Sequence, residues 1–143
     1  MQTFVEGHYN INRDAIRGIS ILIKNIMRTN YLYYTISILF FLLGTILSNT
    51  YRVYIYQNGI YDFHFADTIG NWVSVPAMSF LGLALNKFTN IYKSVGFSVL
   101  FFTFYEIIPF GTFDYYDLLA TYICGFIICL SSFAYKRIKT LVK

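Results

Sequence analysis

The residues best suited to chemistry are carboxylates set at the edges of long apolar runs. Glu106 falls late in the run 94–110, and Asp114, Asp117 and Thr121 follow at i, i+3 and i+7, one stripe of a helix. Asp67 and Asn71, at i and i+4, make a similar stripe at the head of an earlier run. An ionised carboxylate near a bilayer centre costs at least about 2.5 kcal/mol, so an acid kept within an apolar segment points to a function. A turn of about four residues after Glu106 is expected to form a tight antiparallel pair that sets Glu106 and Asp117 at similar depth. Asp67, Asn71, Glu106, Asp114, Asp117 and Thr121 would then converge on one pocket. Such a pocket can hydrogen-bond sugar hydroxyls or a lipid head group, or coordinate a divalent ion that bridges to phosphate. Two carboxylates in different environments also suit general acid and base work, although no nucleophile or oxyanion donor accompanies them.

Each acid has a structural alternative. Asp114 followed by Asp117 reads equally as an N-cap and an N3 acid, and Asp67 as a charge meeting the dipole of a helix start. Glu106 ends a helix and cannot cap an N-terminus; its alternative is an ion pair or hydrogen bond inside the bundle, with Arg52 as one partner. Cys124 and Cys129 lie five apart in one segment and point in different directions, and His64 has no local ligand partners. No metal centre and no cofactor is expected.

The elements that position these groups follow from composition. The chain has 143 residues, 57% of them apolar and 13% charged, against roughly 25% charged in a soluble domain. This excludes a disordered chain and a disulfide scaffold, and argues against a soluble globule. Four apolar runs approach the roughly 20 residues that cross hydrocarbon as a helix. They predict a four-transmembrane-helix bundle, all-α and a single membrane domain, with spans near 31–48, 67–86, 94–110 and 115–135. The first span is expected to serve as an uncleaved anchor. Pro76 is expected to kink the second, and Gly82, Gly96 and Gly125 to permit close helix contact.

Every Lys and Arg except Arg52 falls before the first span, between the second and third, or after the fourth. The excess of cations in those loops predicts that both termini are cytoplasmic. The pI of about 9.0 therefore reflects polarised charge, and no nucleic-acid partner is expected. Residues 12–28 place Arg13, Arg17, Lys24 and Arg28 opposite an apolar face, which predicts an amphipathic helix lying on anionic lipids of the inner leaflet.

Between the first two spans, two β-prone runs flank Asn58-Gly59, a pair that favours a two-residue hairpin turn. A β-hairpin over 51–65 is expected, with Tyr56 opposite Tyr61, Tyr54 opposite Phe63 and Arg52 opposite Phe65. It would be an interfacial aromatic anchor or a lid, with Arg52, Tyr54 and His64 over the acids.

The order Asp67, Glu106, then Phe113-Asp114 through Asp117-Leu-Leu-Ala120-Thr121 to Gly125 resembles the VanZ-like family of small multi-pass bacterial membrane proteins. The likeness covers roughly residues 67–125. Thr68 and Asn71 stand where many members carry Lys and His, and Glu106 lacks the usual following Gln. The resemblance implies a bacterial cytoplasmic membrane, a cell-envelope setting and a link to glycopeptide resistance. It does not imply a particular reaction. The expected function is binding of a lipid or glycan head group at the outer leaflet. The alternatives are a non-catalytic subunit of a membrane complex or homo-oligomer, and an enzyme acting on a lipid-linked substrate.

Overall fold

A computed structural model describes the backbone of residues 2–108 and 114–141, and their side chains from residue 17 onward apart from residue 25. Five helices follow one another: α1 (Gln2–Asn49), α2 (Tyr51–Asn58), α3 (Phe65–Ala84), α4 (Ile91–Ile107) and α5 (Tyr115–Leu141). Helix α3 is the hub, touching each of the other four, while among the described residues the backbone of α1 comes close to neither α4 nor α5. Long helices consecutive in the chain run antiparallel, which leaves α3 and α5 parallel. Ser37 Oγ donates to the Ala77 carbonyl at 2.8 Å, and the rings of Tyr33 and Phe40 stack on Phe80, which aligns α1 against α3.

Three expectations are corrected by this architecture. The first is the four-transmembrane-helix bundle. Two helical stretches are long and apolar enough to cross a membrane, Arg17–Asn58 and Tyr115–Leu141. Helix α4 has 17 residues, about 26 Å at 1.5 Å per residue, short of a hydrocarbon core of about 30 Å. Helix α3 reaches 20 residues, but Asp67, Asn71, Ser74, Pro76 and Ser79 dilute its apolar character.

The second correction is the β-hairpin over 51–65. There is no strand among the described residues, and Tyr51–Asn58 is a helix. Asn58-Gly59 supplies a left-handed helix cap instead of a hairpin turn. Gly59 has φ 60°, its N–H reaches the Tyr56 carbonyl at 3.3 Å, and the Ile60 N–H reaches Ile55 at 3.1 Å. That is the pair of bonds a Schellman cap makes, and glycine's freedom at positive φ serves it as well as it serves a type I′ turn. Burial of Ile55 anchors the short helix.

The third correction concerns 12–28, which does not form a separate interfacial helix. It is continuous with α1, which runs 48 residues without a break. Nothing from Met27 to Tyr31 interrupts it, since Arg28, Thr29 and Asn30 bring neither glycine nor proline. Of the turn expected between 94–110 and 115–135, residues 111–113 lie outside the described residues.

Size and polarity are distributed inside out. The largest fully buried side chains are Ile69, Val75, Thr121 and the serines 79, 94 and 98, whereas Phe41, Phe104 and Phe126 are more than 60% exposed. Small hydroxyl residues let backbones approach and bond across the helices. Ser94 Oγ donates to the Ser79 carbonyl at 2.6 Å and Ser79 Oγ to Ser98 Oγ at 3.1 Å, joining α3 to α4. Three glycines mark close contacts. A Cβ on Gly82 would lie 2.7 Å from Ser94 Oγ, one on Gly125 2.6 Å from Val99, and one on Gly44 would collide with Val73. Gly96 faces open space instead.

Pro76 sits inside α3, which remains helical on both sides. Its missing N–H leaves the Trp72 carbonyl, four residues earlier, without its helical donor. Cys124 Sγ on α5 reaches that carbonyl at 3.4 Å. The proline gap is thereby used as a contact between helices.

Candidate functional site

The end of the bundle opposite the basic residues collects Asp62, Asp67, Glu106, Asp114 and Asp117, with Arg52. It is assembled from α2, the start of α3, the end of α4 and the start of α5.

Asp67, in the first turn of α3, is the most connected of these groups. One carboxylate oxygen accepts the Tyr56 hydroxyl, which in turn accepts Arg52 Nε at 3.2 Å. The other lies 3.1 Å from His64 Nδ1. The Tyr56 hydroxyl holds the Asp67 carboxyl below its ordinary value; partial burial opposes this, while His64 and the Arg52 charge add to it. His64 adopts φ 63°, ψ 16°, and its ring stacks on Tyr116 of α5 with centroids 4.0 Å apart. The left-handed turn thus aims the imidazole away from a capping position and across to the neighbouring helix. Asp62 caps in its place, its Oδ2 accepting the Ala66 N–H at 2.7 Å and the Tyr51 hydroxyl at 3.2 Å.

The predicted residues separate into distinct roles. Asp114 caps α5, its Oδ1 accepting the Tyr116 N–H at 2.8 Å. Asn71 is buried and donates from Nδ2 to the Asp117 backbone carbonyl at 3.0 Å, tying α3 to α5. That carbonyl lies four residues before Thr121, the usual acceptor for a helical threonine hydroxyl. Thr121 is fully buried and its Oγ1 has no partner among the described residues. Glu106, Asp114, Asp67 and Arg52 all lie within electrostatic range of Asp117. The side chains of Glu106 and Asp117 are half-buried and make no hydrogen bond or ion pair among the described residues.

The lid residues divide as well. Arg52 and His64 reach the Asp67 cluster, whereas Tyr54 is 57% exposed and contributes only its carbonyl, to Asn58 Nδ2 at 2.8 Å. With residues 51–58 helical, the cross-strand pairs of Tyr54 with Phe63 and Arg52 with Phe65 do not form.

Tyr51, Tyr56, Asp62 and Tyr116 were not among the site residues expected from the sequence. Tyr56 is at i+4 from Arg52, a spacing that marks a helix face as soon as the run is read as helix. Among the described residues, no group of three His, Cys, Asp or Glu side chains has the geometry to hold a metal ion. No protein-family model, curated protein or solved structure matches the chain.

Proposed function

We propose that this chain is a membrane-embedded, VanZ-like cell-envelope protein whose acidic end binds the head group of a lipid or glycan. The observation that carries the reading is the separation of charge along the helices. Five carboxylates and one guanidinium gather at one end, and Lys24, Arg28, Lys87, Lys93, Lys136 and Arg137 are at the other. Cations on the inner side of a membrane favour an orientation with both termini cytoplasmic and the acids on the outer face. The exposed aromatic and aliphatic exterior, wrapped around buried serines, supports lipid as the solvent.

The chemistry of the acidic end favours hydrogen-bond donors. Asp67 is occupied by Tyr56 and His64, but Glu106 and Asp117 keep acceptor capacity beside it. Hydroxyls of a sugar or an ammonium group would complete them. Native mass spectrometry of the purified chain tests this, with Glu106→Gln and Asp117→Asn as variants. A lipid or glycan retained by the wild type and lost from both variants is expected. Equal retention by three equally folded proteins would overturn the reading.

A further inference from the structure

The inference rests on the slot between α1 and α3, a cavity of about 720 Å³ whose walls include Ile38, Phe41, Thr45, Gly70, Ser74 and Leu81. Along α1 it extends from Ser37 to Asn49. Twelve residues of helix are about 18 Å, close to the roughly 15 Å of one leaflet's hydrocarbon. On α3 the positions 67, 70, 74, 77 and 81 share one face, so Asp67 lies one turn beyond the slot's end at Gly70.

The walls are mostly apolar, and of their polar side chains only the Ser48 and Ser74 hydroxyls show no partner among the described residues. Ser37 Oγ is bonded to Ala77, Thr45 Oγ1 to Phe41 and Asn49 Nδ2 to Thr45. An apolar chain therefore fits the walls. A helix with its side chains is about 10–12 Å across, too wide for a slot whose sides touch at Gly44 and Val73 and at Ser37 and Ala77. Charge selects what lies above: the slot ends at Asn49 and Gly70, one turn of α3 short of Asp67, so the acidic end beyond it opposes an anionic head group. Gly70 lines the slot, and a Cβ there would meet nothing within 4 Å.

We propose that the α1–α3 slot holds one acyl chain of a membrane lipid from the leaflet at the acidic end, with its hydrogen-bond-donating head group toward the acidic cluster. This rests on the head-group reading and deepens it, naming a lipid in place of a free glycan. The test places the full chain in phosphatidylcholine nanodiscs containing phosphatidylethanolamine with a photoactivatable group on its acyl chain. Adducts are expected to concentrate on 37–49 and 70–81. Gly70→Leu fills open space and should lower them about tenfold, the scale on which a filled apolar pocket discriminates. Gly96→Leu, also directed into open space but off the slot, should leave them unchanged.

Unchanged adducts in a folded Gly70→Leu protein would overturn the proposal. So would adducts spread evenly over α1 and α5, or a second copy or another protein cross-linked within the slot. Ligand kept by Gly70→Leu but lost from Glu106→Gln would overturn the slot and leave the head-group site standing. Slot adducts lost in Gly70→Leu, with full ligand retention in Glu106→Gln and Asp117→Asn, would support the slot and overturn the head-group reading alone.

Discussion

Tyr56 and His64 approach opposite oxygens of Asp67, so one carboxylate ties α2 and the left-handed turn to α3. Because the folded pKa of Asp67 is lowered, its contribution to stability is present above the ordinary carboxylate value and lost as pH falls through the lowered one. Tyr56→Phe removes the largest cause of that lowering. At this partly exposed site the substitution should cost about 0.5–1 kcal/mol at pH 6. Thermal unfolding in detergent should show the gap between wild type and variant closing below about pH 4, around the reference carboxylate value. A gap that persists in acid would assign the tyrosine to packing alone. At this scale the sequence was half legible. The acids announce themselves because charge is rare in an apolar chain, but partners that are themselves aromatic do not. Tyr56 looked like one more interfacial ring, and Asp62 fell within the expected hairpin, until the start of α3 was seen to use its carboxylate as a cap.

Helices were legible wherever long apolar runs allowed little else, yet their ends and partners were not. The runs behind α3, α4 and α5 begin within a few residues of the predicted positions, while α1 absorbs the stretch expected to lie separately at the interface. Asn58-Gly59 misled because a hairpin turn and a Schellman cap ask for the same conformation. Local β-propensity in Tyr51–Tyr56 yielded to contacts with α3, since pairs with Asp62 and Asp67 are available only across the fold. Pro76 was expected to bend its helix; what it provides is a free carbonyl for Cys124. A double-mutant cycle isolates that use. Cys124→Ala should cost about 1 kcal/mol in the native background, because the Trp72 carbonyl loses its donor. In Pro76→Ala the restored backbone N–H at position 76 can take over, and the same change should cost about half as much or less. Equal costs in both backgrounds, read from unfolding in detergent, would show that the thiol contributes volume and not a bond.

For the whole molecule, the consequence of antiparallel order is that α1 begins and α5 ends at the same face. Among the described residues only these two are long and apolar enough to cross a bilayer, so in a membrane they would carry the orientation while α3 and α4 ride between or beside them. On the proposed membrane reading, the cations at that shared face would set which way the protein lies: Arg17, Lys24 and Arg28 on α1 with Arg137 and Lys139 on α5. Labelling of single cysteines in intact cells reads the outcome, starting from a protein in which Cys124 and Cys129 have been replaced by alanine. An impermeant maleimide should modify Asn58→Cys and Tyr115→Cys directly, and Ser20→Cys and Thr140→Cys only after the membrane is opened. The reverse pattern would put the acidic end in the cytoplasm and remove any outer-leaflet ligand from consideration. Labelling at all four positions without permeabilisation would mean that neither helix crosses. The exposed phenylalanines of α4 and α5 would then need another protein, in place of lipid, to cover them.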